Sequence, residues 1–155
     1  MTIQLSTNKK SFNGIVDLPA SKSISNRVLI INALSYNPNP IQNLSDSDDT
    51  KVLASALFSN NNYFDIGHAG TAMRFLTAYL SKIVGEWTVT GSQRMQERPI
   101  GILVDALRAL GAKIEYLKND GFPPLKIFGS HLKGKTITLD GSVSSQFITA
   151  LLLIA

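Results

Sequence analysis

The sequence predicts an α/β fold assembled from copies of one supersecondary motif. Two observations carry that expectation. Short apolar runs at strand spacing alternate along the chain with longer segments at helical spacing, and no low-complexity linker separates them. Three times, moreover, a strand-like run enters a small-residue corner holding Ser and leads into a helix-like segment. These corners are Asp17-Leu18-Pro19-Ala20-Ser21-Lys22-Ser23, Val89-Thr90-Gly91-Ser92-Gln93-Arg94 and Leu139-Asp140-Gly141-Ser142-Val143-Ser144-Ser145. Ser and Gly are common at any strand–helix corner, so the repeat taken alone leaves unrelated corners as an open reading.

Taken in order, Ile3 to Leu5 and Phe12 to Leu18 read as short strands. Ser23 to Leu34 reads as a helix that the run Val28 to Ile31 makes apolar on nearly every side, which predicts a position inside the domain. A second helix is expected to start near Ser47, with Asp48 and Asp49 in a first turn whose positive end favours them. Tyr63 to Ile66 is expected as a strand. Thr71 to Leu80 follows as a helix with Ala72, Met73, Leu76 and Leu80 on one face. Trp87 to Thr90 reads as a strand. The next helix has Pro99 in its first turn and Ile100, Leu103, Val104, Leu107 and Leu110 at helical spacing, and Gly111 closes it. Lys113 to Leu117, Leu125 to Phe128 and Thr136 to Leu139 read as strands, the first two joined through Asn119-Asp120-Gly121. A last helix begins near Ser144 and carries Phe147, Ile148, Leu151, Leu152 and Ala155. It stops in an apolar stretch without Gly, Asn or a basic cap, so the chain is expected to be a piece of a longer protein, truncated in a helix.

Hydrophobic residues make up 44% of the 155 positions and charged residues 17%, which is ample material for a core. The net charge of +4 comes from scattered cations, not from the basic stripe or interleaved aromatics of a nucleic-acid binder. Small anionic ligands are the better reading of that charge. The absence of cysteine excludes a disulfide framework, a thiolate zinc site and a Cys nucleophile within these residues. Only His68 and His131 are present, with no carboxylate spaced to join either, so no metal is expected. The polar start, Met1 to Lys10, has no apolar signal core, and no apolar run approaches the roughly 20 residues that cross a bilayer. The expectation is a cytoplasmic chain with neither membrane nor nucleic-acid partner.

The chemistry is expected at the corners, where free backbone N–H groups and the helix dipole offer an anion site. At the first, Lys22 lies between the hydroxyls of Ser21 and Ser23, and Arg27 follows Ser23 one turn along the same helix face. Point charge, guanidinium fork and short hydroxyl donors suit a phosphorylated carboxylate. An N-cap serine beside two solvated cations is the plainer alternative. A second cluster is Gly67-His68-Ala69-Gly70-Thr71-Ala72-Met73-Arg74, where Gly70 lets a ligand approach the backbone. The third, Arg94-Met95-Gln96-Glu97-Arg98-Pro99-Ile100-Gly101, aims two Arg at a helix start, or else is a loop salt-bridged through Glu97. The fourth, Ser144-Ser145-Gln146, offers two hydroxyls and an amide, or simple capping. No P-loop and no dinucleotide glycine signature occurs. Four such corners in one fold have a common explanation in a single pocket for anions.

Leu18-Pro19-Ala20-Ser21-Lys22-Ser23 with Asn26-Arg27, Gly67-x-Ala69-Gly70-Thr71-Ala72-Met73-Arg74, Arg94-Met95-x-Glu97-Arg98-Pro99-Ile100 and Asp140-Gly141-Ser142-Val143-Ser144-Ser145-Gln146 closely resemble the EPSP synthase family of enolpyruvyl transferases, in the family's order and spacing. The resemblance implies transfer of enolpyruvyl from phosphoenolpyruvate to the 5-hydroxyl of shikimate 3-phosphate, in the shikimate pathway to aromatic amino acids. It implies that Lys22, Ser23, Arg27, Ser144, Ser145 and Gln146 contact shikimate 3-phosphate, and that Lys22, Gly70, Arg98 and Gln146 contact phosphoenolpyruvate. Lys22 would be the catalytic member among these, with Arg74, Arg94 and His68 supporting, and no cofactor or metal. The fold implied is two lobes, each of three βαβαββ units, in a monomeric enzyme. Residues 1–10 would supply a first strand belonging to the second lobe, and residues 11–155 about two units of an incomplete first lobe.

The chain departs from the family at His68, where Asn is common, and at Phe75, where Pro is frequent. His68 keeps a hydrogen bond and adds a titratable group, while Phe75 is expected to alter only packing. Glyphosate competes for the family's phosphoenolpyruvate pocket, and Gly70 leaves it room. UDP-N-acetylglucosamine enolpyruvyl transferases share the fold, but their usual loop cysteine has no counterpart here. A non-catalytic anion-binding fragment is the reading from another class, since the family's proton-transfer groups lie in the second lobe.

Overall fold

The structure, a computed structural model, describes residues 2–8, 10–11, 13–36, 38–140, 142 and 144–155. Its elements in chain order are α1 (Lys22–Leu34), α2 (Asp48–Leu57), β1 (Tyr63–Asp65), α3 (Gly70–Lys82), β2 (Gly85–Thr90), α4 (Gln93–Gln96), α5 (Gly101–Ala109), β3 (Lys113–Tyr116), β4 (Leu125–Gly129) and α6 (Ser145–Ile154). The four strands form one sheet in the order β1-β2-β4-β3. β1 and β2 are parallel, with Phe64 beside Val89, and α3 supplies the crossover that a parallel pair needs. β4 runs antiparallel to both neighbours, pairing Ile127 with Trp87 and with Ile114.

Strand alternation sorts the two faces of this sheet. Phe64, Val89, Ile114, Leu125 and Ile127 are buried on one face. The other carries Glu86, Lys113, Glu115, Lys126 and Phe128, with a Lys126–Glu86 ion pair at 3.2 Å and the Lys113 ammonium 4.1 Å from the Phe128 ring centroid. One buried and one solvated face is the usual state of a largely antiparallel sheet.

Helix α3 is the centre of the molecule. Ala72, Met73, Leu76 and Leu80 are buried as their spacing predicts, and so are Phe75 and Ala78 on other sides of the helix. The reason is that α3 packs against β2 and β4 and also against α1, α2, α5 and α6. Two buried hydroxyls on it are satisfied internally, Thr77 Oγ1 donating to the Met73 carbonyl and Ser81 Oγ to that of Thr77, both at 2.7 Å. Helix α5 ends as predicted at Gly111, whose φ of +99° is easily reached only without a side chain. Gly111 N donates to the Arg108 carbonyl and Ala112 N to that of Leu107, both at 2.9 Å, which completes a Schellman motif.

The path β1-α3-β2-α5-β3-β4 is one whole βαβαββ unit, with the single turn α4 inserted after β2. Outside it, several expected strands are not formed. Residues 3–5, 13–18 and 136–139 belong to no strand, and Phe12 lies outside the described residues. A strand exists only where a neighbour takes its backbone hydrogen bonds, and none of these segments lies along an edge of the sheet. Ile3, Leu5, Ile15, Val16 and Leu18 are exposed, whereas Ile137 and Leu139 rest partly on the core.

Two further corrections concern helices. α1 is not enclosed: Leu29 and Ile30 are buried, but Ile24 and Ile31 are 63% and 57% exposed, because neighbours cover one side only. Pro99 precedes the N-cap residue Ile100 of α5 instead of lying in its first turn. α4, a single turn directly after the corner that follows β2, is capped by Ser92 Oγ, which accepts from Met95 N. No described helix is long and apolar enough to cross a membrane.

Gly129 tests the packing of the sheet under α3. A Cβ there would run into the backbone carbonyl oxygens of Ile83 and Leu80, which cannot swing aside as a side chain can. Gly129→Ala is expected to lower the unfolding free energy by about 2 kcal/mol in urea titration. Gly134→Ala, where nothing lies within 4 Å, is expected to be neutral; equal effects would refute the packing argument.

Candidate anion-binding site

Four helices bring their starts to one cavity of about 390 Å³. Lys22 comes from the first turn of α1, Asp49 from that of α2, and Gly70 and Thr71 from that of α3, with Arg74 one turn on. Ser144 is the N-cap of α6 and Gln146 lies in its first turn, while Arg98 and His68 complete the lining from loops. Each first turn has backbone N–H groups without helical partners, and the helix dipoles add partial positive charge. The local sequence explains the starts. Ser21 Oγ accepts from Ile24 N at 3.4 Å and Ser144 Oγ from Gln146 N at 3.3 Å, each an N-cap. Buried polar contacts then register α1 against α2: Thr50 Oγ1 donates to Asn26 Oδ1 at 2.7 Å, and Ser45 N to Ser25 Oγ at 2.9 Å.

Gly70 decides the geometry of the cations. A Cβ built on it would lie 2.9 Å from Arg98 Nη1 and 3.1 Å from Arg74 Nη1, so both guanidinium groups occupy space that any side chain would take. Arg74 Nη1 donates to the Gly70 carbonyl at 2.8 Å, and its guanidinium carbon sits 5.3 Å from the Phe147 ring centroid. Its Nε is buried with no partner. Burial first, and the charge of Arg98 second, pull the Arg74 pKa below its ordinary value. Among the described residues neither Arg74 nor Arg98 has a carboxylate within 4.0 Å. Two adjacent uncompensated guanidinium groups are disposed to take a bidentate oxyanion.

Lys22 does have a carboxylate nearby. Its Nζ lies 3.8 Å from Asp49 Oδ1, while Asp49 Oδ2 accepts from Thr71 N at 3.4 Å. His68 is held from the other side of the cavity, with Nδ1 2.8 Å from Ser92 Oγ. The turn that carries it is fixed by Gly67 N donating to Asp65 Oδ1 and by Ser92 N donating to the Gly67 carbonyl.

Of the residues singled out from sequence, the cavity thus gathers Lys22, His68, Gly70, Arg74, Arg98, Ser144 and Gln146. Ser23, Arg27, Arg94 and Ser145 are not part of its lining. Arg27 turns back on its own helix, Nη1 donating to the Ser23 carbonyl at 2.8 Å with the guanidinium 5.9 Å from the Phe75 ring. Phe75 therefore does more than fill the core, since it lies against one of the candidate cations. Arg94 is exposed on α4, and Ser145 is exposed at the start of α6. Gly141 and Val143 of the fourth motif lie outside the described residues. Asp49 and Thr71 belong to the lining and were not singled out; Asp49 carried only the signal of an acid in a helix's first turn, which many surface helices share. A second cavity, of about 470 Å³, is lined mainly by aliphatic residues including Leu132, Ile137, Leu139 and Leu151. Lys82, Lys133 and Lys135 border it, and Lys82 is engaged with the Ile154 carbonyl at 2.7 Å.

The sequence matches the family model of EPSP synthase (3-phosphoshikimate 1-carboxyvinyltransferase) over residues 6–59 and 55–155. It is 63% identical to the 3-phosphoshikimate 1-carboxyvinyltransferase of Bacteroides fragilis (strain YCH46), over 90% of this chain and 34% of that protein. With the protein of the same name from Shewanella amazonensis it shares 47% identity, over 92% of this chain and 40% of the relative. The fold resembles a solved EPSP synthase from Acinetobacter baumannii with a TM-score of 0.80 at 23% identity, covering 91% of this chain and 37% of that one. The chain therefore spans between a third and two-fifths of the length of these relatives.

Gly70→Ala is expected to displace both guanidinium groups, because their ends are the flexible atoms in the way. Affinity for inorganic phosphate, followed by titration calorimetry, should fall about tenfold while the melting temperature stays within a few degrees. Unchanged phosphate affinity would refute the placement of the anion over Gly70.

Proposed function

The chain belongs to the EPSP synthase family, and from that premise we propose that it supplies part of the active site that joins phosphoenolpyruvate to shikimate 3-phosphate. In that reaction the 5-hydroxyl of shikimate 3-phosphate gives up its proton as its oxygen bonds to C2 of phosphoenolpyruvate and C3 gains a proton. Phosphate then leaves C2 as C3 gives up a proton, and the product is an enol ether.

The observation that carries the reading is the convergence of Lys22, Arg74 and Arg98 with helix starts on one cavity, two of the three cations having no carboxylate partner among the described residues. Both substrates are polyanions, so bringing them together works against strong mutual repulsion. Fixed cations and N–H groups offset that repulsion and hold the reacting atoms close. On this reading Gly70, Arg98 and Gln146 meet phosphoenolpyruvate, Lys22 stands between the two substrates, and Ser144 meets shikimate 3-phosphate. Ser23, Arg27 and Ser145 flank the cavity and join the same substrate, Arg27 by leaving the Ser23 carbonyl. Arg74, Arg94 and His68 shape the field around them.

The 155-residue chain is expected to bind shikimate 3-phosphate weakly, seen as a ³¹P shift on titration, and to show no turnover. Lys22→Met, which keeps the stem and removes the charge, should cost about tenfold or more in that affinity with an unchanged circular dichroism spectrum. In the complete enzyme the same change should remove most activity. Persisting activity would refute the role of Lys22, and robust turnover by this chain alone would refute the assignment of proton transfer to the rest of the enzyme.

A further inference from the structure

Among the described residues that line the cavity, Asp49 is the one carboxylate. An acid beside an anion site opposes binding unless it has a task, and its contacts indicate which task. One oxygen faces Lys22 Nζ and the other the Thr71 N–H, a first-turn donor of α3. An anion entering the cavity seeks the same two donors. The contacts, at 3.8 and 3.4 Å, are longer than the ~2.7–2.9 Å of a tight charged hydrogen bond. The lysine side chain is 49% exposed and the aspartate 21%, so the ammonium is the freer partner. Asp48, in the same turn of α2, already meets the helix dipole and is not part of this cavity's lining, so capping α2 does not require Asp49.

We propose that Asp49 is a positioning residue for Lys22, a built-in counter-ion that keeps the ammonium at the cavity and yields it to the anion that binds there. The inference rests on the anion-binding reading of this cavity. Asp49 keeps a long, mobile side chain from straying into solvent, at the cost of competing with the ligand.

Inorganic phosphate is the probe, titrated into the 155-residue chain by calorimetry. Asp49→Asn and Asp49→Ser are each expected to bind phosphate about five- to tenfold more tightly than the native chain. Asp48→Asn, which makes the same change in net charge, should shift affinity less than about twofold because its charge faces water. In a Lys22→Met background the gain from Asp49→Asn should disappear. Equal or weaker binding in both Asp49 variants, with the circular dichroism spectrum retained, would overturn the proposal while leaving the anion site standing. A gain that survives Lys22→Met would overturn it too, since Asp49 would then act by direct repulsion. Equal binding by Lys22→Met and the native chain would remove the anion-site reading along with the proposal.

Discussion

Two guanidinium groups resting against the bare α-carbon of Gly70 set the terms for everything around them. Like charges at that spacing repel, and Arg74 is in addition half-buried. Among the described residues neither group has an acid within 4.0 Å, and the neighbouring helix starts add further positive potential. A fold selected for stability alone would place a glutamate there. The cost is tolerable because the rest of the molecule supplies a dense core, and an anion bound between the two groups would reverse it. Function is legible here as an interaction the protein leaves unsatisfied.

The fold can be read as the means of holding that arrangement. The βαβαββ unit fixes α3 over the sheet, and the parallel β1–β2 pair places the β1–α3 turn, with His68 and Gly70, next to the corner that follows β2. The carbonyl of Gly67 accepts from Ser92 N and so ties those two corners together. Outside the unit, α1, α2 and α6 contribute their starts because all three have α3 as a common neighbour. A helix buried on several sides thus organises the cavity without contributing more than its own first turns to it.

How much of this the sequence disclosed follows from the range of the forces involved. The end of α5 at Gly111 was legible because a Schellman motif closes within six residues and needs a residue that tolerates positive φ. The buried stripe on α3 was legible from periodicity alone. Residues 3–5, 13–18 and 136–139 misled because they have strand-like composition, whereas pairing depends on a neighbour that composition does not reveal. The site divided in the same way. Lys22, Gly70, Arg98 and Ser144 stood out by their local motifs. Asp49 did not, because its partners lie 27 residues before it and 22 after it in the chain, a relation that only the packing of α1, α2 and α3 creates. Arg27 was recognised as a cation on the right helix, but its turn toward the Ser23 carbonyl and Phe75 is a matter of rotamer, which no spacing encodes.

The serines at the corners show that capping and ligand binding are not rival explanations. Ser21 and Ser144 each use a hydroxyl oxygen lone pair to accept from their own helix's first turn. A hydroxyl is one donor and two acceptor sites, and capping consumes only acceptor capacity. The proton is left to be donated, and its direction is limited by the bond already made. For Ser144, which lines the cavity, the cap therefore orients the donor that an oxyanion would receive. An alanine in its place would lose helix stability and binding together, whereas a glycine keeps most of the cap preference without any hydroxyl. The difference between those two substitutions separates the contribution to the helix from the contribution to the ligand, which a single deletion at an N-cap confounds.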